Sequence, residues 1–528
     1  MRKEGEPIVS KIVTASEVMA KIKSNATIAI GGSGHGHALP EKLIEALAEH
    51  YQKTGNPKNL SLLYTLCMGD TKDKGANQLA IEGLVKRVVA GHWQLTPKLG
   101  QMVNDNKIEG YNLPSGAISQ LYRAIAGAKP GVITKVGLDT YVDPRLEGGK
   151  LNDITKEDLV KLVELEGEEW LLYKSFPIDV AFIRGTTADE DGNITMEEEP
   201  VLAENLSIAQ AAHNSGGFVV AQVKRVCKRG TLPPKQVKVP GIIVDAIVVA
   251  PDEPQLYTVF YNPAYAGEIR IPVELQTLPM DEKKVIKRRA LKEMRPGDIT
   301  NVGVGIAAGL GEVAEEENVS DLLNYTIEQG LIGGIPASGP DFGTGINYDA
   351  IINGDYQFDF YDGGGLDIAF LSFAEVDQDA NVNVTRFGDI PTGCGGFINI
   401  SQNSKRVMFL GTLTGGGRDI RIEDGQVAIK QEGKYKKFVK KVRQVSFSAK
   451  RAIALGQQVT YLTERAVFEL TKEGLMLTEI APGVDLEKDV LQQMEFKPLI
   501  APNLKIMDSR LFKDAPMNIR AEILAKQT

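Results

Sequence analysis

Cysteine and histidine are scarce in this chain. Its 528 residues include three cysteines, Cys67, Cys227 and Cys394, which lie far apart and are odd in number. This spacing excludes a disulfide framework and a thiolate metal cluster as organising features. The five histidines show no H-E-x-x-H spacing. His35 and His37 lie one residue apart in a glycine loop, where contact with substrate or solvent is favoured over a shared metal ion, so we expect no metal site.

An excess of basic charge and long apolar runs are also missing. The formal net charge is −9 and the pI is near 5.4, which argues against a general nucleic-acid binder. No apolar run approaches the roughly 18 residues of a spanning helix, and the charged N-terminus leads into no signal-peptide stretch. The 43% apolar and 24% charged residues are typical of a globular protein. We therefore expect no membrane partner and a cytoplasmic location.

The chain does contain an internal repeat. The apolar run at 179–183 recurs at 367–371, and the turn at 189–193 recurs at 377–381, both at an offset of 188 residues. Residues 25–34 and 298–305 form a weaker pair, in which a turn leads through a buried strand into a glycine loop. The repeat predicts two similar domains in tandem.

The predicted fold class is α/β, with two tandem open-sheet domains that carry helices on both faces. A chain of this length exceeds what one hydrophobic core serves, and the polar segment 277–282 places the division between 1–278 and 279–528. Short strands such as 242–244 and 246–249 alternate with helices such as 43–50, which favours sheets covered on both sides. Because ligands on such sheets bind at strand ends and in clefts between domains, we expect the active site at the domain interface.

Two glycine clusters in the second half are candidate ligand loops. Gly303, Gly305 and Ala307 lie between a strand and a helix in a G-x-G-x-x-x-G spacing that matches no dinucleotide fingerprint. Such loops favour anionic groups, so the pyrophosphate of NAD and that of coenzyme A both remain open. Gly395 and Gly396 offer backbone N–H groups for an oxyanion hole, with a structural bulge as the alternative. Cys394 is a poor thiol nucleophile because no histidine follows it.

Glu328 is the strongest candidate for chemistry. It lies between the apolar run 325–327 and the glycines Gly330, Gly333 and Gly334. A carboxylate in this position loses water on one side and stays accessible on the other, which is the environment that a nucleophilic carboxylate needs. Taken alone, the pattern also fits a glutamate that caps a glycine turn at a strand end.

Several longer segments resemble the family I coenzyme A transferases. The single-chain form, in which two subunit-like halves are fused, is the most similar, and within it the propionate/acetate CoA-transferases. The resemblance covers nearly the whole chain. Its most specific stretches are 357–367, 393–397, 463–468 and 479–485, with 148–152 and 155–159 in the first half.

This resemblance implies a function and a set of site residues. The catalytic glutamate of the family sits in a short Glu-x-Gly segment, which falls on Glu328-Gln329-Gly330. The implied reaction moves CoA between an acyl-CoA and a short-chain carboxylic acid by a ping-pong mechanism through a glutamyl-CoA thioester. By the same analogy, Gly395 and Gly396 supply the oxyanion hole, while Gly303, Gly305 and Ala307 lie along CoA. CoA is then both substrate and covalent intermediate, no cofactor is tightly bound, and the enzyme forms a homo-oligomer, either a dimer or a tetramer.

Two positions depart from the family pattern, and other functions remain as alternatives. Ser115 stands where a glutamine is common and Ile327 where valine or serine is usual, which leaves the preferred acyl group open. An acyl-CoA hydrolase and a non-catalytic CoA-binding protein would use the same scaffold. A nicotinamide dehydrogenase is the third alternative.

Overall fold

The computed structural model describes residues 10–273, 277–388 and 390–526. Its helices are α1 (Ala15–Met19), α2 (Glu41–Thr54), α3 (Pro97–Asn104), α4 (Ser115–Ala126), α5 (Asn205–Asn214), α6 (Glu282–Leu291), α7 (Leu310–Glu316), α8 (Gly354–Asp362), α9 (Phe397–Asn403), α10 (Ala449–Leu455) and α11 (Arg520–Leu524).

The strands fall into two groups along the chain. Those of the first half are β1 (Thr27–Ile30), β2 (Leu60–Tyr64), β3 (Val85–Ala90), β4 (Glu109–Asn112), β5 (Gly131–Thr134), β6 (Val160–Leu165), β7 (Glu168–Lys174), β8 (Val180–Asp189), β9 (Ile194–Thr195), β10 (Phe218–Cys227) and β11 (Ala246–Val249). Those of the second half are β12 (Ile299–Val302), β13 (Asn324–Ile327), β14 (Leu331–Ile332), β15 (Ile335–Pro336), β16 (Gly345–Ile346), β17 (Ala350–Ile351), β18 (Ile368–Ser372), β19 (Glu375–Asp377), β20 (Val382–Asn383), β21 (Arg386–Phe387), β22 (Ile390–Pro391), β23 (Arg406–Leu410), β24 (Thr414–Gly415), β25 (Asp419–Glu423), β26 (Gln426–Gln431), β27 (Tyr435–Lys436), β28 (Phe438–Val439), β29 (Gln458–Leu462), β30 (Ala466–Thr471), β31 (Gly474–Ile480) and β32 (Leu499–Ile506).

The first large sheet has the order β11-β10-β8-β1-β2-β3-β4, with β9 paired to β8. Its strands are parallel except β9. In β1, Ile28 and Ile30 pack into one apolar cluster and Ala29 into another, because side chains of a strand alternate between the two faces. The sheet is therefore buried on both sides, as the short apolar strands predict.

The second large sheet has the order β17-β14-β13-β12-β18-β23-β29-β30-β31-β32. Its strands β13, β12, β18, β23 and β29 are parallel, and they repeat the arrangement of the first sheet. Ile28 pairs with Val180 as Thr300 pairs with Ile368, so the 188-residue repeat joins strands in the same register. The predicted class of two similar α/β sheets is confirmed.

One apolar core joins the two halves. It contains Ala29 and Leu63 from the first sheet together with Ala369 and Phe409 from the second. Helices α4, α5, α8 and α9 supply the rest of this central core, among them the buried residues Ile118, Tyr122, Ile208, Phe358, Tyr361 and Ile398. The division at 278/279 stays a prediction, since the structure shows two sheets that share a core.

One predicted strand is wrong. Residues 242–244 were expected as a buried strand, but Gly241–Ile243 form a turn of 3-10 helix, and Ile242 is 86% exposed. Pro240 fixes φ at −72° before this turn, and a Cβ on Gly241 would lie 2.4 Å from the Asp191 carbonyl oxygen. A tight bend supported by proline and glycine therefore outweighs the β propensity of the run. The strand expected at 246–249 is β11, and the helix expected at 43–50 lies within α2.

Candidate active site

Glu328 stands on a tight turn at the carboxyl end of β13. The strand ends at Ile327, and Glu328 and Gln329 form the tip of the turn that follows. The Gly330 N–H donates to the Ile327 carbonyl oxygen at 2.9 Å and closes the turn. Gly330 has φ +102°, and a Cβ there would lie 2.0 Å from the Ile352 carbonyl oxygen. Only glycine fits such a position, so the Glu-x-Gly spacing follows from the turn itself.

Gly396 lies directly against the Glu328 carboxylate. Its backbone N–H lies close enough to that carboxylate to lower the carboxyl pKa. A Cβ on Gly396 would be 2.0 Å from Glu328 Oε2 and 3.1 Å from the ring of Phe358, so the approach requires glycine. The neighbouring Gly395 N–H instead donates to the Gly91 carbonyl oxygen at 2.7 Å. Of the two predicted donors, Gly396 therefore meets the carboxylate, and Gly395 holds the loop to the first half.

The electrostatic surroundings of Glu328 favour its neutral form. Burial raises the pKa of the Glu328 carboxyl from 4.5 to about 7, and the Gly396 N–H opposes that rise. Among the ion pairs of the described residues, none involves Glu328. Within the described part of the chain, the carboxylate thus has the Gly396 N–H nearby and no partner cation, which raises its nucleophilicity once it is ionised.

A cavity of about 250 Å³ opens onto Glu328. Both halves of the chain line it. The first half contributes His92 and Gln94, and the second contributes the carboxyl ends of β12 and β18 and the glycine loop before α9. Its wall includes Asn301, Gly303, Gly305, Glu328, Phe342, Ser372, Phe373, Phe387, Cys394, Gly395 and Gly396.

The candidate CoA loop, residues 303–307, is hydrogen-bonded to Ser372 at the end of β18. Gly303 and Gly305 line the cavity, whereas Ala307 is buried behind the loop and does not. Ser372 Oγ donates to the Val304 carbonyl oxygen at 2.7 Å and accepts the Ala307 N–H at 3.3 Å. Ala307 therefore shapes the loop from inside, while the two glycines form its exposed surface.

Ser115 supports the glycine loop from the first half. It begins α4 with its side chain fully buried, and it does not line the cavity. Its N–H donates to the Gly395 carbonyl oxygen at 2.9 Å, and its Oγ donates to the Thr65 carbonyl oxygen at 2.8 Å. Ser115 therefore contacts the glycine loop rather than the cavity.

The two thiols near Glu328 stay protonated. Cys394 lines the cavity, and Cys67 is close enough for the charge of Glu328 to affect it. Burial raises the pKa of both thiols to about 12. The thiolate is the nucleophilic form of cysteine, so neither residue competes with Glu328 at neutral pH.

Sequence patterns did not indicate the first-half residues at the cavity. His92 forms a β-bridge with Gly393, and the Trp93 N–H donates to the Thr392 carbonyl oxygen at 2.8 Å. These contacts bring His92 and Gln94 to the site across roughly 300 residues of chain, a distance that local spacing does not reveal. Ser372, in contrast, directly follows the repeated run 367–371 and could have been found from it.

The described ranges contain neither a cluster of metal ligands nor a helix that could span a membrane. Within 10–273, 277–388 and 390–526, no group of three or more His, Cys, Asp or Glu side chains is placed to hold a metal ion. Across the same ranges, no helix combines the length and the apolar character that crossing a membrane requires.

Comparison with known proteins gives a consistent result. Residues 12–250 match the coenzyme A transferase family model. The chain is 48% identical over 508 residues to acetate CoA-transferase YdiF of Escherichia coli strain K12, covering 96% of each protein. It is 45% identical over 515 residues to caffeate CoA-transferase of Acetobacterium woodii, covering 96% of this chain and 98% of that one.

A solved structure agrees along nearly the whole length. The crystal structure of acyl-CoA transferase YdiF from Escherichia coli O157:H7, a thioester complex with CoA, superposes with a TM-score of 0.92 at 47% identity. The match covers 96% of this chain and 97% of that chain. On its fold, its cavity and these relatives, this chain is an enzyme of the coenzyme A transferase family and catalyses CoA transfer.

Proposed function

We propose that this enzyme moves CoA from a short-chain acyl-CoA to a small carboxylate by a ping-pong reaction through a thioester on Glu328. Acetate and propionate are the proposed acids. The observation that carries the proposal is the half-buried Glu328 carboxylate, which lines the cavity beside Gly396 and has no partner cation among the described residues.

The first half-reaction transfers CoA to the enzyme in two steps. A Glu328 oxygen attacks the thioester carbonyl of the acyl-CoA, the C–S bond breaks, and a mixed anhydride and the CoA thiolate result. The thiolate then attacks the Glu328 carbonyl carbon, and the acyl carboxylate leaves. The enzyme now carries a glutamyl-CoA thioester, and no proton or electron has been gained or lost overall.

The second half-reaction runs these steps in reverse with a different acid. The incoming carboxylate attacks the glutamyl thioester and releases the CoA thiolate, which then attacks the acyl carbonyl of the new anhydride. Glu328 is regenerated and the new acyl-CoA departs. Thioester energy is conserved throughout, so the reaction needs no nucleotide triphosphate.

Gly396 is placed to stabilise charge on Glu328 itself. When the thiolate adds to the glutamyl carbonyl, negative charge develops on a Glu328 oxygen, and the Gly396 N–H already lies close to that carboxylate. A donor fixed before the reaction costs no reorganisation when the charge forms. We therefore narrow the oxyanion role predicted for both glycines to Gly396, with Gly395 as the residue that fixes the loop.

We further propose how the substrates lie in the cavity. The exposed glycines Gly303 and Gly305 would lie along CoA, and Ala307 would set the shape of that loop through its hydrogen bond to Ser372. Two relatives are named for acetate and for caffeate, so small and larger acids both belong in an acceptor panel.

We also propose that the chain divides into domains 1–278 and 279–528. The proposed location is cytoplasmic, and the proposed assembly is a dimer or a tetramer. The apolar edge strand β32, where Ile506 is 62% exposed and Leu499 41%, supports an assembly. Light scattering on the purified protein would give the number of subunits.

The test is an intact-protein mass spectrum after incubation with acetyl-CoA. We expect a CoA adduct on the peptide that holds Glu328, and its loss when an acceptor acid is added. Glu328→Gln should form no adduct, because an amide does not form the anhydride.

Two results would contradict the proposal. An adduct on another peptide would move the nucleophile away from Glu328. Free CoA released at the same rate with and without an acceptor acid would favour the hydrolase alternative, because hydrolysis needs only water.

A further inference from the structure

His92 is a half-buried histidine of the cavity wall, and its ring forms no hydrogen bond within the described part of the chain. Its Nδ1 is buried without a partner. Burial lowers the pKa of His92 from 6.5 to about 4, and no neighbouring charge opposes this change. The imidazole is therefore neutral at physiological pH and carries one N–H donor and one acceptor. Because polar groups removed from water are nearly always paired, this ring requires an explanation.

The ring edge of His92 that carries Nε2 faces the glycine loop beside Glu328. A Cβ on Gly395 would lie 3.5 Å from His92 Cδ2, the carbon bonded to Nε2. A Cβ on the next residue, Gly396, would lie 2.0 Å from Glu328 Oε2. Consecutive Cα atoms are about 3.8 Å apart, so the imidazole and the carboxylate flank neighbouring residues of one loop. Both side chains border the same open volume of about 250 Å³.

The proposed reaction develops negative charge at two different oxygen atoms. When Glu328 attacks the acyl thioester, the charge forms on the acyl oxygen, whereas addition of the thiolate places it on a Glu328 oxygen. The Gly396 N–H lies beside the Glu328 carboxylate, and the Gly395 N–H donates to the Gly91 carbonyl oxygen at 2.7 Å. Neither glycine is therefore free to serve the acyl oxygen, which requires a donor of its own.

Several other polar side chains of the cavity wall are already engaged. Ser372 Oγ donates to the candidate CoA loop at 2.7 Å. Asn301 Nδ2 donates to the Tyr361 hydroxyl oxygen at 3.3 Å, and the Cys394 thiol faces a carbonyl oxygen at 3.8 Å. His92, in contrast, has a ring nitrogen available next to the loop that holds Glu328.

We propose that His92 is a catalytic residue whose Nε2–H donates a hydrogen bond to the acyl oxygen of the substrate. This inference rests on the proposed function, because it takes the acyl-CoA to react at Glu328. An acyl oxygen only accepts hydrogen bonds, so contact with it places the ring proton on Nε2 and leaves the buried Nδ1 unprotonated.

The contribution of His92 to each acyl-transfer step is electrostatic. As the bond between the Glu328 oxygen and the acyl carbon forms, the carbonyl π electrons move onto the acyl oxygen, where the N–H stabilises them. The C–S bond then breaks, the carbonyl re-forms and the CoA thiolate leaves, with no proton transferred. A neutral donor suits this role, because an imidazolium would form an ion pair with the carboxylate and stabilise it before the attack.

The kinetic test removes the ring donor and then restores it. His92→Phe should lower kcat for acetyl-CoA and propionate by about 10²-fold, the usual effect of losing one oxyanion donor, while KM changes by less than about threefold. His92→Gln carries an amide N–H about as far from the backbone and should recover at least about tenfold of that loss. His213→Phe alters an exposed histidine outside the cavity wall and should leave kcat unchanged.

A spectroscopic test separates this role from a structural one. Acetyl-CoA labelled with ¹³C at the acyl carbonyl is bound to Glu328→Gln, which cannot form the anhydride, and the carbonyl stretch is recorded by difference infrared spectroscopy. We expect a lower wavenumber than for free acetyl-CoA. The shift should disappear when His92→Phe is added and return with His92→Gln, and circular dichroism verifies that each variant is folded.

Three results would overturn the inference. They are an unchanged kcat in His92→Phe, an unchanged carbonyl stretch in the folded double variant, and loss of the shift with Thr392→Val but not with His92→Phe. The last result would assign the donor to a hydroxyl that also lines the cavity. All three leave the CoA adduct on Glu328 in place, whereas absence of that adduct from the wild-type enzyme would reject the proposed function.

Discussion

The two halves differ at equivalent positions of one repeated strand. The strands β8 and β18 occupy equivalent places, so Arg184 in the first half corresponds to Ser372 in the second. Arg184 is buried within β8, which continues to Asp189: it pairs with Glu199 at 3.0 Å and donates to the Leu39 carbonyl oxygen at 3.2 Å. Ser372 is small and leaves the cavity open. An ion pair fills this position in the first half, whereas a small side chain at the cavity occupies it in the second.

A second pair of equivalent positions shows the same asymmetry. Ala29 pairs with Leu63 as Asn301 pairs with Thr326, so the position equivalent to Glu328 is Thr65. Thr65 is 2% exposed and carries no charge. The repeated scaffold therefore carries a carboxylate beside a cavity in the second half and an uncharged threonine at the equivalent position of the first. Equivalent positions of the two halves thus differ in size and charge although the arrangement of strands is repeated.

The largest expected effect tests whether transfer depends on the buried acid of the second half and not on that of the first. Glu328→Gln should lower kcat by at least about 10⁴-fold, because the amide lacks the carboxylate oxygen that would attack the thioester and form the anhydride. Glu204→Gln is the control: Glu204 is also a buried glutamate with a pKa raised to about 7, but it lies in the first half, outside the cavity wall. Initial rates with acetyl-CoA and propionate measure both variants. Equal losses in the two would reject the assignment of Glu328.

The second prediction concerns the close approach of Gly396. Gly396→Ala places a methyl group where Glu328 Oε2 now lies, so the carboxylate must move by an ångström or more. Displacements of this size cost about 10²-fold in rate. We expect kcat to fall with little change in thermal stability. Gly363→Ala, at a surface position where the nearest atom would be 3.2 Å away, is the control and should retain activity.

The third prediction makes the second half resemble the first. Ser372→Arg should raise KM for acyl-CoA, because the long side chain would fill the cavity next to residue 372. The equivalent residue of the first half, Arg184, fills the corresponding space there. Ser372→Ala removes the two hydrogen bonds that hold the loop 303–307 and does not fill the cavity. Because that loop is proposed to bind CoA, we expect KM for acyl-CoA to rise by about tenfold. Steady-state kinetics with varied acyl-CoA separate the two effects. A lower KM for Ser372→Arg than for Ser372→Ala would contradict cavity blocking.

The smallest expected effect is a pH dependence of thermal stability caused by Glu204, a first-half carboxyl that feels the charge of Asp355 in the second half. Glu204 accepts a hydrogen bond from Ser119 at 2.9 Å, and burial and the charge of Asp355 raise its pKa to about 7. Because this folded-state pKa exceeds the unfolded value, its contribution to stability is complete below about pH 4.5 and is lost as pH rises through 7. Tm should therefore fall between pH 5 and pH 8.

Glu204→Gln tests this pH effect. The variant should reduce the fall in Tm by roughly 1–3 °C, measured by circular dichroism at both pH values. The exposed Glu164→Gln is the matched control and should leave the fall unchanged. If Glu204→Gln also leaves it unchanged, another group is responsible.

Local patterns predicted the fold class and the position of Glu328 because both depend on short-range constraints. The repeat survives in strand register, and the turn at Gly330 explains why a glycine follows two residues after the glutamate. The strand expected at 242–244 failed where proline and glycine impose a turn. Which glycine N–H meets Glu328 could not be predicted either, because Gly395 is held by Gly91, a contact between residues distant in sequence.

The central core makes the two halves depend on each other for stability. Residues of both sheets and of α4, α5, α8 and α9 bury one another there, so separating the halves would expose a large apolar surface to water. Rigid-body parting of the two halves at a hinge is therefore costly. Heating should melt the described structure as one cooperative unit, and each half expressed alone should aggregate unless its counterpart is present.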